Sequence, residues 1–416
     1  MNGTFKLAVP LVAALAIAAC NGGSSSVPTS TGMTGTPGQS VFTQLRHPAP
    51  DWQTKHQAHA VCPQVIGKPT CLALKVDKEI QPPCTGASCG WAPVDLQTRY
   101  KLPITQGSGQ IVAIVDAYDQ PNAASDLAAY RTQFGLGTAN FTKFNQNGQQ
   151  SNYPQSCTVS SGWCVEEDLD IEMVSAACPL CTIYLIENDG SNTGFESSET
   201  TAVNLGAHIV SNSWICYGSP TCGDPNFPSF FNTPGVEFLA ASGDAGYNQN
   251  GGPEALATVV SVGGTQLMKT GSAYSETVWN GAGGGCSNNG GGSGVTKPSW
   301  QHDPSCTWRT DSDISAESGC SPGVAEYDSL QGGWFGVCGT SAASPLIGAV
   351  FALDGNASSL TDARKFWLRD RKHLHRVLSG NDGSCGSSYL CQAGTHQFGV
   401  YSGPAGFGSP NGVLGF

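Results

Sequence analysis

Three short stretches of this chain carry side chains able to do chemistry. In "CGTSAASPLIGAVFAL", Cys338 to Leu353, Ser341 stands between a glycine and an apolar run at helical spacing. A serine there lies near free backbone N–H groups and the positive end of the helix dipole, which favour a developing oxyanion. A helix N-cap uses the same residue type in the same place, so the local sequence leaves both uses open. Pro345 is expected in the first helical turn, where its missing N–H costs little. A serine hydroxyl is a weak nucleophile and needs a base. The chain has eight histidines, and none has a context that nominates it: His47, His56 and His59 lie in the N-terminal segment, and His302, His373, His375 and His396 in polar or loop-like stretches. His208 precedes a strand, where a packed role is expected.

Carboxylates are better placed to serve Ser341. In "WCVEEDLDIEMVSAA", Glu166 and Asp170 are four residues apart and share one helical face. Like charges at that spacing repel, so a purely structural helix gains nothing from them. Leu169, Ile171, Val174 and Ala177 give the helix an apolar stripe, implying one buried edge. In a desolvated place such a pair splits its titrations, and one member can hold or accept a proton. A solvated acidic first turn is the plainer alternative, and Glu167, Asp168 and Glu172 are expected to play that part. Asp244, in "AASGDAGY", follows an apolar strand and has a glycine on each side of its turn. Glycine-flanked turn aspartates are common. A protonated Asp244 could instead donate a hydrogen bond to an oxyanion.

The elements that must position these groups alternate. "QIVAIVDAY", "CTIYLIEN", "AHIVSNSW", "VEFLAASGDAGY" and "ATVVSVGGTQL" read as apolar strands, and "NAASDLAAYRTQFGL", "EEDLDIEMVSAAC" and "FESSETTAVNLG" as helices between several of them. Such alternation predicts an α/β fold with a mostly parallel sheet, whose ligands bind at the carboxyl ends of the strands. The chain has 416 residues, 12% of them charged, and a formal net charge of -12, with no run of like charge. A sparse, acidic surface argues against nucleic acid as the expected partner, because phosphate binding draws on many Lys and Arg side chains.

The N-terminus, "MNGTFKLAVPLVAALAIAACNGGSSS", has the shape of a signal peptide over residues 1–19, and "IAAC" matches a bacterial lipobox ending at Cys20. We expect a lipid on Cys20, a low-complexity tether over 20–40, a short Cys-bearing segment over 41–89 and one peptidase-sized domain over 90–416. Of 17 cysteines, all but Cys20 make an even set, which in an exported chain implies a disulfide framework. Cys62 and Cys71, Cys84 and Cys89, Cys157 and Cys164, Cys216 and Cys222, and Cys385 and Cys391 are close enough for local staples. "CPLC" at Cys178 to Cys181 reads as a structural pair, since no second pair lies at zinc spacing. Full connectivity is not readable from spacing.

With these residues in view, the chain resembles the sedolisins, serine-carboxyl peptidases of subtilisin-like fold. The family pattern E-x-x-x-D, S-G-D-x-G and G-T-S-A-x-x-P appears in order as "EEDLD", "SGDAG" and "GTSAASP". "GWAPVDLQTRYKLP", "VSNSW", "VVSVGGTQL" and "GFGSPNG" are also similar, so the resemblance runs from about Gly90 to Phe416. It implies a subtilisin-like α/β fold, with a mostly parallel sheet flanked by helices. It further implies an acid-acting endopeptidase working through an acyl-enzyme on Ser341. Glu166 would be the general base, Asp170 would orient it and share its proton, and Asp244 would be the oxyanion donor. Two departures stand out. The family calcium site needs two aspartates, and here "RVLSG" and "VYSGPAG" put Arg376 and Ser402 in their places. That site is expected to be lost, its role passing to the nearby Cys385 and Cys391, and no cofactor is expected. Between Cys20 and Gly90 there is also room only for a tether and a small segment, where many relatives carry a long folded propeptide. The segment is either not needed as a propeptide or is clipped.

The sequence therefore leads to an exported, lipid-anchored monomer acting on protein or peptide substrates, touching a membrane only through Cys20. A subtilisin-like triad using Asp116 fails for want of a placed histidine. A catalytically silent surface-binding lipoprotein on the same fold is the rival from another class.

Overall fold

The computed structural model describes residues 49–77, 84–248, 251–287, 295–359, 362–368 and 371–416, all within one compact unit, Ser40–Phe416. The signal peptide, Cys20 and the tether fall outside the described residues. Among the described residues, no helix is long and apolar enough to cross a membrane.

The chain begins with a one-turn helix, α1 (Asp51–Thr54), and three short strands, β1 (Ala58–Ala60), β2 (Pro69–Cys71) and β3 (Leu74–Val76). Helix α2 (Pro93–Tyr100) leads into the central strand β4 (Ile111–Ala117). Then follow α3 (Ala123–Phe134), β5 (Asn140–Asn145), α4 (Trp163–Ala177), β6 (Thr182–Asn188), α5 (Asn192–Asn204), β7 (Ile209–Asn212), β8 (Trp214–Cys216), β9 (Glu237–Ala241), β10 (Val259–Thr270) and β11 (Ala273–Val278). After the small ladder of β12 (Gly285–Cys286) with β13 (Thr310–Asp311) come β14 (Ile314–Glu317), β15 (Val324–Asp328), β16 (Gly333–Cys338) and the long helix α6 (Thr340–Asp354). Helix α7 (Arg364–Leu368), β17 (Leu374–His375) and β18 (Ser409–Pro410) close the chain.

The main sheet runs β11-β10-β9-β7-β4-β6-β5, with β14 on β10; only β11 is antiparallel. The chain starts at β4, fills one side with β5 and β6, then crosses to β7 on the other. That reversal makes a crevice at the carboxyl end of β4, where α/β sheets bind ligands. Strand β4 alternates its faces as a two-sided strand must: Val112 and Ile114 pack into the core shared with α4 and α6, Ala113 and Val115 into the core shared with α5.

Helix α4 departs from the sequence expectation. Every residue from Trp163 to Ala177 is buried, including Glu167, Asp168 and Glu172, which were expected in solvent. An amphipathic stripe presumes one covered face. Here α2, α3 and α6, strand β15 and the sheet cover the helix all round. Pro345 is likewise not in the first turn of α6 but its sixth residue. Its missing N–H removes the helical partner of the Ser341 carbonyl, four residues back.

Eight disulfides pair every cysteine except Cys20. The five expected local staples form, Cys178 bonds Cys181, and Cys286–Cys306 and Cys320–Cys338 complete the set. Residues 49–77 are woven into the same unit as the rest. Strand β2 pairs antiparallel with β8, and β3 joins β1 to β16 in a four-stranded sheet.

Candidate active site

Three of the stretches singled out above meet at the carboxyl end of the main sheet. Helix α4 brings Glu166 and Asp170 there on one face, the turn after β9 brings Asp244, and the start of α6 brings Ser341; all four are buried. Asp170 Oδ1 lies 2.8 Å from the hydroxyl of Ser213, in the link between β7 and β8. That hydroxyl is also 3.3 Å from the Ser341 carbonyl that Pro345 leaves free. Ser341 Oγ donates a long bond, 3.4 Å, to the Ser213 carbonyl. Glu166 Oε2 accepts two backbone N–H bonds, from Leu72 at 2.8 Å and Ala73 at 2.7 Å.

Burial raises the pKa of Glu166; the nearby Ser341 hydroxyl, the Ala73 and Leu72 N–H groups and Asp170 pull it back only in part. Asp170 is pushed up by burial and by the charges of Asp116 and Glu166. Two carboxyl groups in one dry place titrate as a pair rather than singly. Asp244 is also raised, first by burial, against hydrogen bonds from Thr340. Its Oδ1 accepts from Thr340 N at 2.8 Å and Thr340 Oγ1 at 2.9 Å. Its Oδ2 has no hydrogen-bond partner. Gly339 is what lets this oxygen in. At φ 114° the residue has a backbone that side chains rarely adopt, and a Cβ there would stand 2.6 Å from Asp244 Oδ2 and 2.5 Å from the Leu72 carbonyl oxygen.

Around this centre lies a second layer of acids. Asp116 is buried with neither oxygen hydrogen-bonded, its pKa raised by burial and by Glu166 and Glu187. Asp168 accepts from Gln120 Nε2 at 2.6 Å, and Glu172 from Tyr327 N at 3.2 Å. Oxygens of Asp126, Asp168 and Asp328 lie within 4.8 Å of one another. Among the described residues no histidine bonds to Ser341 or Asp116. His59 pairs with Asp77, His208 with the Gly235 carbonyl and His375 with the Arg99 carbonyl; His208, expected to be packed, is exposed.

At the corner where the family's calcium would sit, the donors do not fit. Arg376 is exposed, and Ser402 is a buried neutral hydroxyl beside Tyr401, which packs on Trp367 and Phe407. A hard cation needs carboxylate and carbonyl oxygens, and a guanidinium repels it.

Sequence reasoning missed Leu72, Ala73, Ser213 and Thr340. Ser213 and Thr340 sit inside the quoted stretches "AHIVSNSW" and "GTSAASP", but hydroxyls at strand ends and helix caps are too common to stand out. "PTCLALK" is too short for periodicity to show.

The molecule is thus a subtilisin-like α/β protein, its doubly wound, mostly parallel sheet flanked by helices and stapled by disulfides. No protein-family model matches the chain. Kumamolisin from Bacillus sp. (strain MN-32) is 28% identical over 370 residues, 79% of this chain and 63% of that protein, so the chain spans less than two thirds of this relative. A Pseudomonas sedolisin (serine-carboxyl proteinase), solved with two molecules of pseudo-iodotyrostatin, aligns with a TM-score of 0.64 and 26% identity, over 78% of this chain and 96% of that one. In sequence and in fold the chain is thus similar to sedolisins.

Proposed function

We propose that the chain is an acid-acting serine-carboxyl endopeptidase. The observation that carries this reading is the buried meeting of Ser341 with the Glu166–Asp170 pair and the unpartnered oxygen of Asp244, with no histidine of the described residues bonded to Ser341. Ser341 Oγ attacks the scissile carbonyl while Glu166 takes its proton. Asp170, holding a proton of its own, orients Glu166 and steadies its charge. Asp244, protonated, donates from Oδ2 to the oxygen that becomes negative. Glu166 then hands the proton to the leaving amine, and water enters by the reverse path to free the acyl group. The logic is that of any nucleophile–base–orienter triad with carboxylates in the roles. It requires a pH at which Glu166 is ionised while Asp244 keeps its proton, and burial of Asp244 favours that state.

The same reading takes the calcium site as lost, and the chain as an exported monomer anchored through a lipid on Cys20. Casein hydrolysis from pH 3 to 8 tests the catalytic part. Ser341→Ala and Glu166→Gln should each lower kcat by ~10²-fold or more. Activity that peaks near neutrality and survives Glu166→Gln would mean another base. No hydrolysis at any pH would favour a binding protein.

A further inference from the structure

Away from the serine, aspartates from three elements meet. Asp126 comes from α3, Asp168 from α4 and Asp328 from the end of β15; all are buried, with oxygens within 4.8 Å of one another. Each is braced through one oxygen. Gln120 Nε2 donates to Asp168 Oδ2 at 2.6 Å, and Leu330 N and Gln331 N donate to Asp328 Oδ1 at 2.7 and 3.3 Å. Ser329 donates to Asp126 Oδ2 from its N at 3.0 Å and from its hydroxyl at 2.8 Å. Asp168 Oδ1 and Asp328 Oδ2 stay buried with no hydrogen-bond partner.

Leaving such oxygens dry and unmatched is costly, and the surroundings add to the cost. Glu172 lies one helical turn beyond Asp168 on α4, and Glu326 two residues before Asp328 on β15, so each shares its neighbour's face. Glu326 is buried with neither oxygen hydrogen-bonded; after burial, the charges that raise its pKa most are those of Asp168 and Asp328. Glu172 is raised by burial, then by Glu326 and Asp168. Opposing charge reaches this group of five acids from Lys143, which also pairs with Asp119 and Glu187, and from Lys75, which also donates to Gln331. Two shared ammonium groups do not balance five acids. A cation among the aspartates would.

We propose that Asp126, Asp168 and Asp328 bind a hard divalent cation, calcium, which ties α3 and β15 to the helix that carries Glu166 and Asp170. The donors set the choice of ion. No histidine or cysteine belongs to the group, and carboxylate oxygens suit calcium, magnesium or manganese rather than zinc or copper. Oxygens within 4.8 Å of one another can share one ion at the calcium–oxygen distance of about 2.4 Å. Calcium accepts an irregular ligand set completed by water, whereas magnesium demands a near-ideal octahedron and sheds water reluctantly. Ser125 and Ser329, next in sequence to Asp126 and Asp328, are exposed, so the ion has a way in from solvent. The site shares no residue with the corner of Arg376 and Ser402. Carboxylates must be ionised to hold a metal, so the ion is held at neutral pH and released in acid.

The test uses the full chain carrying Ser341→Ala, stripped of metal with a chelator and returned to pH 7.5. Equilibrium dialysis against radioactive calcium should find one ion per chain, with a Kd on the order of 10⁻⁴–10⁻³ M. Calcium at about 10 mM should raise Tm by roughly 2 °C or more. Asp168→Asn and Asp328→Asn, which keep the shape and remove a charge, should each weaken binding by at least ~10-fold. Should either variant misfold, hydrogen exchange on the Ser341→Ala chain locates the ion: calcium should slow amides of residues 120–129 and 326–331 and leave those of 374–408 unchanged. Undetectable binding at about 10 mM calcium, affinity unchanged by both substitutions, or protection confined to 374–408 would each overturn the proposal. The peptidase reading does not depend on any of these results.

Discussion

Glu326→Gln should leave the protein's stability in acid unchanged and raise it at neutral pH. Glu326, on β15, is buried with no hydrogen-bond partner for either oxygen. Its pKa is driven well up by burial, then by Asp168, Asp328 and Glu166, against a smaller opposing pull from Lys75. A carboxyl whose folded pKa lies above its unfolded one binds its proton more tightly when folded. Its stabilising contribution is complete below the unfolded value and is lost as pH rises through the folded one. Each unit of upward shift makes the loss ~1.4 kcal/mol. Glutamine has nearly the same shape and cannot ionise, so it escapes that loss. The variant should match its parent at pH 4 and exceed it at pH 7.5 by on the order of 1 kcal/mol or more, the scale of an unsatisfied buried polar group. In a unit of this size each kcal/mol corresponds to roughly 1.3 °C in Tm. Urea and thermal unfolding at both pH values, in a Ser341→Ala background that cannot digest itself, make the comparison. An equal effect at both pH values, or a variant weaker than its parent at pH 7.5, would refute the reasoning. It would mean that the charge on Glu326 is compensated in the native protein.

Asp244→Asn tests the oxyanion role through the pH profile. Thr340 fixes Oδ1 as an acceptor, so the amide must turn its NH2 to the Oδ2 side, where it donates at every pH. The alkaline fall in kcat/KM should shift upward by at least about one unit or vanish, and an unmoved fall would mean Asp244 is not the donor. A chelator such as EDTA at pH 5 should leave Tm within about 1 °C of the untreated protein. With Arg376 and Ser402 in the places of the family's two aspartates, those two carboxylates are not there to lose an ion, and a larger drop would show a structural metal after all. Cys20→Ser should move the chain from the membrane fraction to the soluble fraction of its host and abolish labelling by a fatty-acid analogue, and unchanged labelling would refute lipidation at Cys20.

How much of this was legible from sequence depended on whether the deciding contacts were local. Ser341 at a helix start, Glu166 and Asp170 one helical turn apart, and Asp244 at a strand end are local patterns, and the structure brings the four together. The five cysteine pairs read as local staples also formed, because residues five to nine apart can meet without the fold's help. Cys286–Cys306 and Cys320–Cys338 span 20 and 18 residues and are set by the ladders around them. The path of Leu72 and Ala73 past the site was invisible because their partners, Ser213 and Glu166, lie far along the chain from Leu72. The acids of α4 were misread because their neighbours across β15 are equally remote in sequence.

That misreading bears on the chemistry. A serine with a histidine base would work at neutral pH, where buried acids such as Glu172 and Glu326 cost the fold most. With a carboxylate base, the condition that keeps Asp244 protonated also keeps these acids neutral. Burial raises Asp244, Glu172 and Glu326 alike, so on the proposed reading one physical cause would draw the pH of catalysis and the pH of greatest stability to the same side of neutrality. A chain with this interior and a histidine in the base's place would be pulled in two directions. On that reading, the carboxylate base and the acid-filled helix beneath it serve one and the same pH range.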